Sequence, residues 1–277
     1  MISSCNQNDE NHTNTSISKV PLKSLDASEQ NIEYCVSKSK KYKWAKTWKY
    51  TDDVTELRCY YLCINDLSGL SKFTNLSFLD LDPCNIKSID ISENKLLKYF
   101  YASSNKVSEI DTSNNHLLIE FYMRENLLSK VDLSNNLGLQ KIMLGNNQLQ
   151  EIDLSNNTSL TMIDIPFNQL SHIDLSKNTN LTRLNLSSNK ISNIDLSKNT
   201  VLKSLTLVSN QISNIDLSNN KKLTYLNLNN NKLTDIDLSE NLNLRLIEIE
   251  GNPLTEDACK YLSSFSLFTS ASIRSDC

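Results

Sequence analysis

Residues 181–201 read LTRLNLSSNKISNIDLSKNTV, and residues 202–222 read LKSLTLVSNQISNIDLSNNKK. Laid one over the other, the two stretches agree in where leucine, isoleucine and asparagine fall. The opening leucine returns every 21 residues, at Leu76, Leu97, Leu118, Leu139, Leu160, Leu181, Leu202, Leu223 and Leu244, without insertion. A unit this short cannot bury a hydrophobic face alone, so it has to stack on its neighbours. The period therefore settles the architecture before local propensity does: a one-dimensional pile of coils with a broad, open surface.

With the opening leucine as position 1, apolar residues return at 4, 6, 11, 14 and usually 16, and asparagine returns at 9 and 19. Apolar 4 and 6 alternate with polar 3 and 5, the period of a half-buried strand. One strand per unit, paired with the next unit's strand, gives a parallel sheet with about 4.8 Å between strands. The position-9 residues are Asn105, Asn126, Asn147, Asn168, Asn189, Asn210, Asn231 and Asn252, with Cys84 replacing asparagine once. An inward carboxamide has the donors and the acceptor to satisfy a buried turn after each strand. In the Ile194-Asp195-Leu196-Ser197 signature and its copies, Ile and Leu close the back of the core. Asp and Ser there form a turn by bonding nearby backbone N–H groups.

The pattern L-x-x-L-x-L-x-x-N-x-L over residues 57–254 resembles a leucine-rich-repeat array, and its short, helix-poor unit is similar to bacterial internalin-type repeats, including those of surface lipoproteins. The resemblance implies a β-dominated α/β solenoid of about ten units. Its curved parallel sheet would be concave, its back built of turns or 3-10 segments, and its ends closed by short helical caps.

The flanks fit that plan. Residues 1–24 are mostly polar and read as a disordered tether. Residues 25–56 form the N-terminal cap, with a short helix near Ser28–Ser37 turning Ile32 and Cys35 inward. Lys38–Lys49 interleaves six lysines with Tyr42, Trp44 and Trp48; the tryptophans cover the first coil while the lysines stay solvated. Leu57, Tyr60, Leu62, Asn65 and Leu67 make an irregular first unit. Residues 255–277 form a C-terminal cap helix, opened by Thr255 as N-cap and sealed by Leu262, Phe265 and Leu267.

Net charge is −4, which argues against nucleic acid, and no apolar run approaches the ~20 residues needed to span a membrane. His12, His116 and His172 are too scattered for a zinc site, and the four glycines form no phosphate loop. No cofactor and no enzymatic activity is expected. The aspartates at position 15, Asp90 to Asp237, raise the question of Ca²⁺; each is followed by an apolar residue and then Ser or Thr, so turn bonding is preferred.

Cys5 follows Ile2-Ser3-Ser4, which resembles the end of a bacterial lipoprotein signal and implies lipid attachment to its thiol and placement on the cell surface or outer membrane. No basic or apolar segment precedes it in this sequence, so a cytoplasmic address stays open. Cys35, Cys59, Cys63, Cys259 and Cys277 lie in the flanks, where disulfides would staple the caps in an oxidising compartment; connectivity cannot be read from spacing.

Positions 3 and 5 face away from the core. From the first unit to the sixth they hold Tyr61, Phe78, Tyr99, Tyr101, Tyr122, Met143 and Met162. Asp80, Glu120, Arg124 (position 7), Lys141 and Asp164 flank them, and Arg183 follows in the seventh unit. Exposed aromatics beside Arg and Met make binding hot spots. Strand propensity and cross-strand aromatic pairing offer a purely structural account of the same row. The expectation is a monomeric, non-catalytic scaffold that binds a protein or peptide on this face. A polysaccharide ligand and a cytosolic adaptor are the alternatives.

Overall fold

The computed structural model describes residues 31–39, 47–59, 62 and 64–277. It is a solenoid with one parallel sheet of 11 strands in sequence order. The strands are β1 (Glu56–Arg58), β2 (Phe78–Asp80), β3 (Tyr99–Tyr101), β4 (Glu120–Tyr122), β5 (Lys141–Met143) and β6 (Met162–Asp164), followed by β7 (Arg183–Asn185), β8 (Ser204–Thr206), β9 (Tyr225–Asn227), β10 (Leu246–Glu248) and β11 (Ser272–Arg274). Each covers positions 3 to 5 of its coil. Position 4 is buried, while 3 and 5 face the concave side, half-buried in most coils. The coils stay in phase: Tyr99 pairs with Glu120, Glu120 with Lys141, and Lys141 with Met162.

Two asparagine columns tie each coil to the one before. Nδ2 of Asn189 donates to the carbonyls of Ile165 (2.9 Å) and Leu186 (3.0 Å), and its Oδ1 accepts from the Leu170 N–H at 3.0 Å. Position 19 works differently. Nδ2 of Asn199 donates to Leu175 O at 3.2 Å and Asn178 O at 2.9 Å, while its buried Oδ1 has no partner among the described residues. An under-satisfied carbonyl is better tolerated than an orphaned N–H. One coil repairs the deficit: Thr112 at position 16, where the others carry Leu or Ile, donates its hydroxyl to Asn136 Oδ1 at 2.8 Å.

Position 8 adopts a left-handed conformation in every coil from Ser104 (φ 56°) to Gly251 (φ 69°). The second coil carries Pro83 there, whose ring fixes φ near −65°. The left-handed residue moves to Asn85 (φ 60°), and Asn105 Oδ1 accepts from both Cys84 N (3.1 Å) and Ile86 N (2.8 Å). Cys84 is buried outside any disulfide, its Sγ donating to Cys59 O at 3.8 Å.

On the convex back, Oδ1 of each position-15 aspartate from Asp90 to Asp237 accepts from the N–H two residues on, as Asp195 does from Ser197 at 2.8 Å. In Asp111 to Asp237 these serine hydrogen bonds hold the carboxyls below the usual carboxylate range. Every carboxylate of the column is thus engaged in its own turn. Among the described residues no group of three or more His, Cys, Asp or Glu is placed to hold a metal ion.

The ends depart from the sequence reading in three ways. Leu57 pairs with Leu79, so it occupies position 4 of the first coil, not position 1. Glu56 and Arg58 therefore take the outward positions, and Cys59 is buried in a disulfide to Cys35. That disulfide fixes the register by tying the coil to α1 (Ile32–Ser39), whose Ile32, Cys35 and Val36 join the core with Trp48. Gly69 lies against α1: a Cβ there would stand 2.2 Å from Glu33 Oε1, which pairs with Lys72 at 2.9 Å. At the other end α2 (Glu256–Thr269) starts where expected, with Thr255 Oγ1 accepting from Ala258 N at 3.2 Å. The chain then returns as β11 alongside β10, and Cys259 bonds to Cys277. Leu267 does not seal the stack: it is 87% exposed, and Phe268 78%, while Leu262 and Phe265 do the sealing. Tyr61, Cys63, Trp44, Cys5 and the tether lie outside the described residues.

Candidate functional site

Strict register places every position-5 side chain next to its counterpart one strand away. Tyr101 on β3 and Tyr122 on β4 consequently meet as a stacked pair, centroids 4.5 Å apart and planes within 9°. Phe78 on β2 meets Tyr101 edge to face at 5.2 Å and Tyr99 at 6.0 Å. Arg58 on β1 lies over the Phe78 ring at 4.2 Å, its Nε donating to Glu56 Oε1 at 2.6 Å. Such contacts contribute about 0.5–1.5 kcal/mol each. The row is a continuous aromatic ridge across β2 to β4.

Glu120 organises the next part. Its Oε2 accepts from the Tyr101 hydroxyl at 2.6 Å and its Oε1 from Lys141 Nζ at 2.9 Å. Burial pulls the Glu120 carboxyl up, but bonds from Tyr101, Lys141 and Tyr122 outweigh it and hold the group below its ordinary range. Burial raises both the Tyr101 and Tyr122 phenols, and the Glu120 carboxylate adds to it.

Farther along, Arg124 forms an ion pair with the buried Asp164, which also accepts from Asn185 Nδ2 at 2.7 Å. Arg124 belongs to the fourth coil and Asp164 to the sixth, so the pair spans the fifth coil, whose position-7 residue is Gly145. Pro166 packs closely against Gly145, where a Cβ would stand 2.9 Å from Pro166 Cγ. Arg183 on β7 is exposed. Among the described residues no salt bridge engages it.

At the opposite end, Asp80 and Asp82 stand two residues apart. Asp80 Oδ1 accepts from Asp82 N at 3.1 Å, and Asp82 Oδ1 accepts from Ser103 N. Burial, reinforced by the Asp80 carboxylate, pushes Asp82 up to about 6. Asp80 is also raised by burial, against the Asp82 N–H bond and the charge of Arg58.

No family model and no curated protein sequence matches the chain. Solved structures do. The functional domain of InlJ from Listeria monocytogenes, whose structure includes a cysteine ladder, is 34% identical with a TM-score of 0.77; the match covers 82% of this chain and 51% of that one. The present chain is a leucine-rich-repeat protein. It spans about half the length of the InlJ domain it resembles. Two more distant matches share the fold: an internalin (InlF) from Listeria monocytogenes, 21% identical, TM-score 0.55, covering 84% of this chain and 85% of that one; and YopM from Yersinia enterocolitica, 19% identical, TM-score 0.61, covering 83% and 48%.

In this leucine-rich-repeat array the expected face residues from Phe78 to Arg183 lie along strands β2 to β7 or at the strand ends, as the 21-residue phase requires. Asp82, Arg58 and Glu56 join them. Asp82 carried a visible signal in its position-7 slot, whereas Arg58 and Glu56 were hidden by the three-residue register error in the first coil. Phe167, at position 8 of the sixth coil, is 57% exposed in a left-handed conformation (φ 54°). Leu96, Leu117 and Leu137, in the connections that lead into β3, β4 and β5, are exposed. Beyond β7 the face is smaller and polar, apart from a clasp in which Glu248 accepts from Tyr225 (2.7 Å), Asn227 (2.6 Å) and Arg274 (2.6 Å).

Proposed function

We propose that this leucine-rich-repeat protein is a non-catalytic binding scaffold whose concave face, over β2 to β7, engages a protein or peptide. The observation that carries the reading is the arrangement of the aromatic ridge. Tyr101 and Tyr122 stack on each other, so one face of each ring is used internally, and Phe78 packs edge to face against Tyr101 as well. A sugar ring needs an open aromatic face; rings stacked on one another and followed by Met143 and Met162 suit the irregular apolar side chains of a polypeptide. A surface or secreted location fits the resemblance to internalins and the two cap disulfides, which form in oxidising compartments. Lipid attachment at Cys5 is part of the same proposal and is tested by palmitate labelling with a Cys5→Ser control. Among the described residues no helix is long and apolar enough to cross a membrane.

Selection of a displayed library of random linear peptides against the chain, run beside a glycan array, tests the assignment. Peptides whose binding is lost in the Tyr101→Ala/Tyr122→Ala double variant support it. Glycan binding with no peptide enrichment overturns it.

A further inference from the structure

Most charges along the concave face between β1 and β7 are already matched. Glu56 is bonded to Arg58, Glu120 to Lys141, and Arg124 to Asp164. What remains lies at the two ends. Asp80 and Asp82 crowd together by Ser103, and among the described residues the cation close by is Arg58, itself shared with Glu56. Arg183 stands exposed, with no salt bridge among the described residues. Between these ends the floor is Tyr101, Tyr122, Met143 and Met162, apolar or internally neutralised. The face thus has a charge order: negative, neutral, positive.

Resting on the concave-face reading above, we propose that the groove selects an extended polypeptide segment by its charge order, seating a basic side chain at Asp80 and Asp82 and an acidic side chain at Arg183. A cation at the first end relieves the repulsion between two half-buried carboxylates, which Arg58 and the backbone N–H bonds offset only in part. A carboxylate at the far end supplies Arg183 with its missing partner. The separation sets the spacing. β2 and β7 are five strand intervals apart, about 24 Å at about 4.8 Å each. An extended chain covers about 3.3 Å per residue, so the two charges belong about seven residues apart. A charge in the middle of the segment would be desolvated over the tyrosines and methionines without a partner, and a segment with the same charge at both ends would set like against like at one of them.

The displayed peptide library tests this directly. The wild-type chain is expected to enrich sequences with a basic and an acidic residue about seven positions apart and apolar residues between. Arg183→Glu should exchange the acidic preference for a basic one. Asp80→Asn with Asp82→Asn, which keeps the backbone hydrogen bonds, should abolish the basic preference, and each change should weaken wild-type-selected peptides at least tenfold. No enrichment, enrichment without the charge pair, or a charge pair indifferent to these substitutions overturns the proposal. Tyr101→Ala/Tyr122→Ala separates the two levels. If it abolishes binding while the charge variants do nothing, only the charge order falls; if it leaves binding intact, the concave-face reading falls as well.

Discussion

The two halves of the concave sheet share one backbone and differ in what they show the solvent. Asn126 in the fourth coil and Asn210 in the eighth make the same bonds: Nδ2 to carbonyls 24 and 3 residues back, Oδ1 to an N–H 19 residues back. On the outward columns, β2 to β6 carry Phe78, Tyr99, Tyr101, Tyr122, Met143 and Met162 in adjoining strands, whereas β8 and β9 carry Ser204, Thr206 and Asn227 with Tyr225 as an isolated aromatic. The polar half proves that the sheet forms without an aromatic ridge. Cross-strand pairing alone therefore does not explain why the aromatics gather in one half, and the columns left free by the fold are those able to carry specificity.

The firmest way to challenge this division is to cut the shared part. Asn126→Ala and Asn210→Ala should each cost about 3 kcal/mol or more, because each strands a buried N–H and several carbonyls. The two losses should match in denaturant titration although the coils lie in different halves. A large inequality would mean that the ladder is not equivalent along the array. Next in size, Tyr101→Ala with Tyr122→Ala should weaken selected peptides at least tenfold, while Thr206→Ala with Asn227→Ala should leave them unchanged in titration calorimetry. The tyrosine pair also contributes to folding through its stack and the Glu120 bond, so about 1 kcal/mol of stability should go with it. Equal effects on binding from the two pairs would erase the distinction between the halves.

A smaller effect with a definite sign comes from Asp82. Its carboxyl titrates at about 6 in the folded chain against about 3.8 for an ordinary aspartate, so the folded state is penalised for its charge above pH 6. Asp82→Asn, whose Oδ1 can still accept from Ser103 N, should raise the melting temperature at pH 7 to 8. The gain should shrink as pH falls through 6 and disappear below about 4, where the wild-type carboxyl is protonated in both states. The convex aspartates act with the opposite sign: their depressed values add stability at neutral pH that is lost as the medium acidifies toward and below 4. A melting-temperature gain that grows on acidification would contradict the assignment for Asp82.

The central coils were legible because 21-residue periodicity fixes side-chain direction without any knowledge of neighbours, and Tyr101, Tyr122 and Asp164 follow from it directly. The ends were not, because no second copy constrains them. Leu57 has the spacing of an opening leucine but sits at position 4, held there by a disulfide whose connectivity spacing cannot give. β11 arises from Ser272–Arg274, a segment with no repeat signature, because β10 otherwise presents an open edge. The finer layout of the site was also out of reach. Tyrosines at one position predict a row; whether their faces meet each other or the solvent depends on rotamers set by Glu120.

Phe167 supplies the most delicate test of the comparison, since it breaks a local rule within the ridge half. Position 8 demands a left-handed backbone, and the other coils meet the demand with Ser, Asn, Gly or Glu, except where Pro83 shifts it. A bulky side chain is disfavoured there, and with more than half of its surface exposed the ring recovers little by burial. Phe167→Asn should therefore stabilise the chain by about 0.5 kcal/mol, read as a rise in denaturant midpoint at constant slope. The same substitution at Ser188 or Ser209, already compatible with the backbone, should change little. If Phe167→Asn destabilises, the ring is held by packing and its strain has a structural reason. If it stabilises while weakening the selected peptides, Phe167 belongs to the binding surface, and the ridge extends around the rim of the sixth coil.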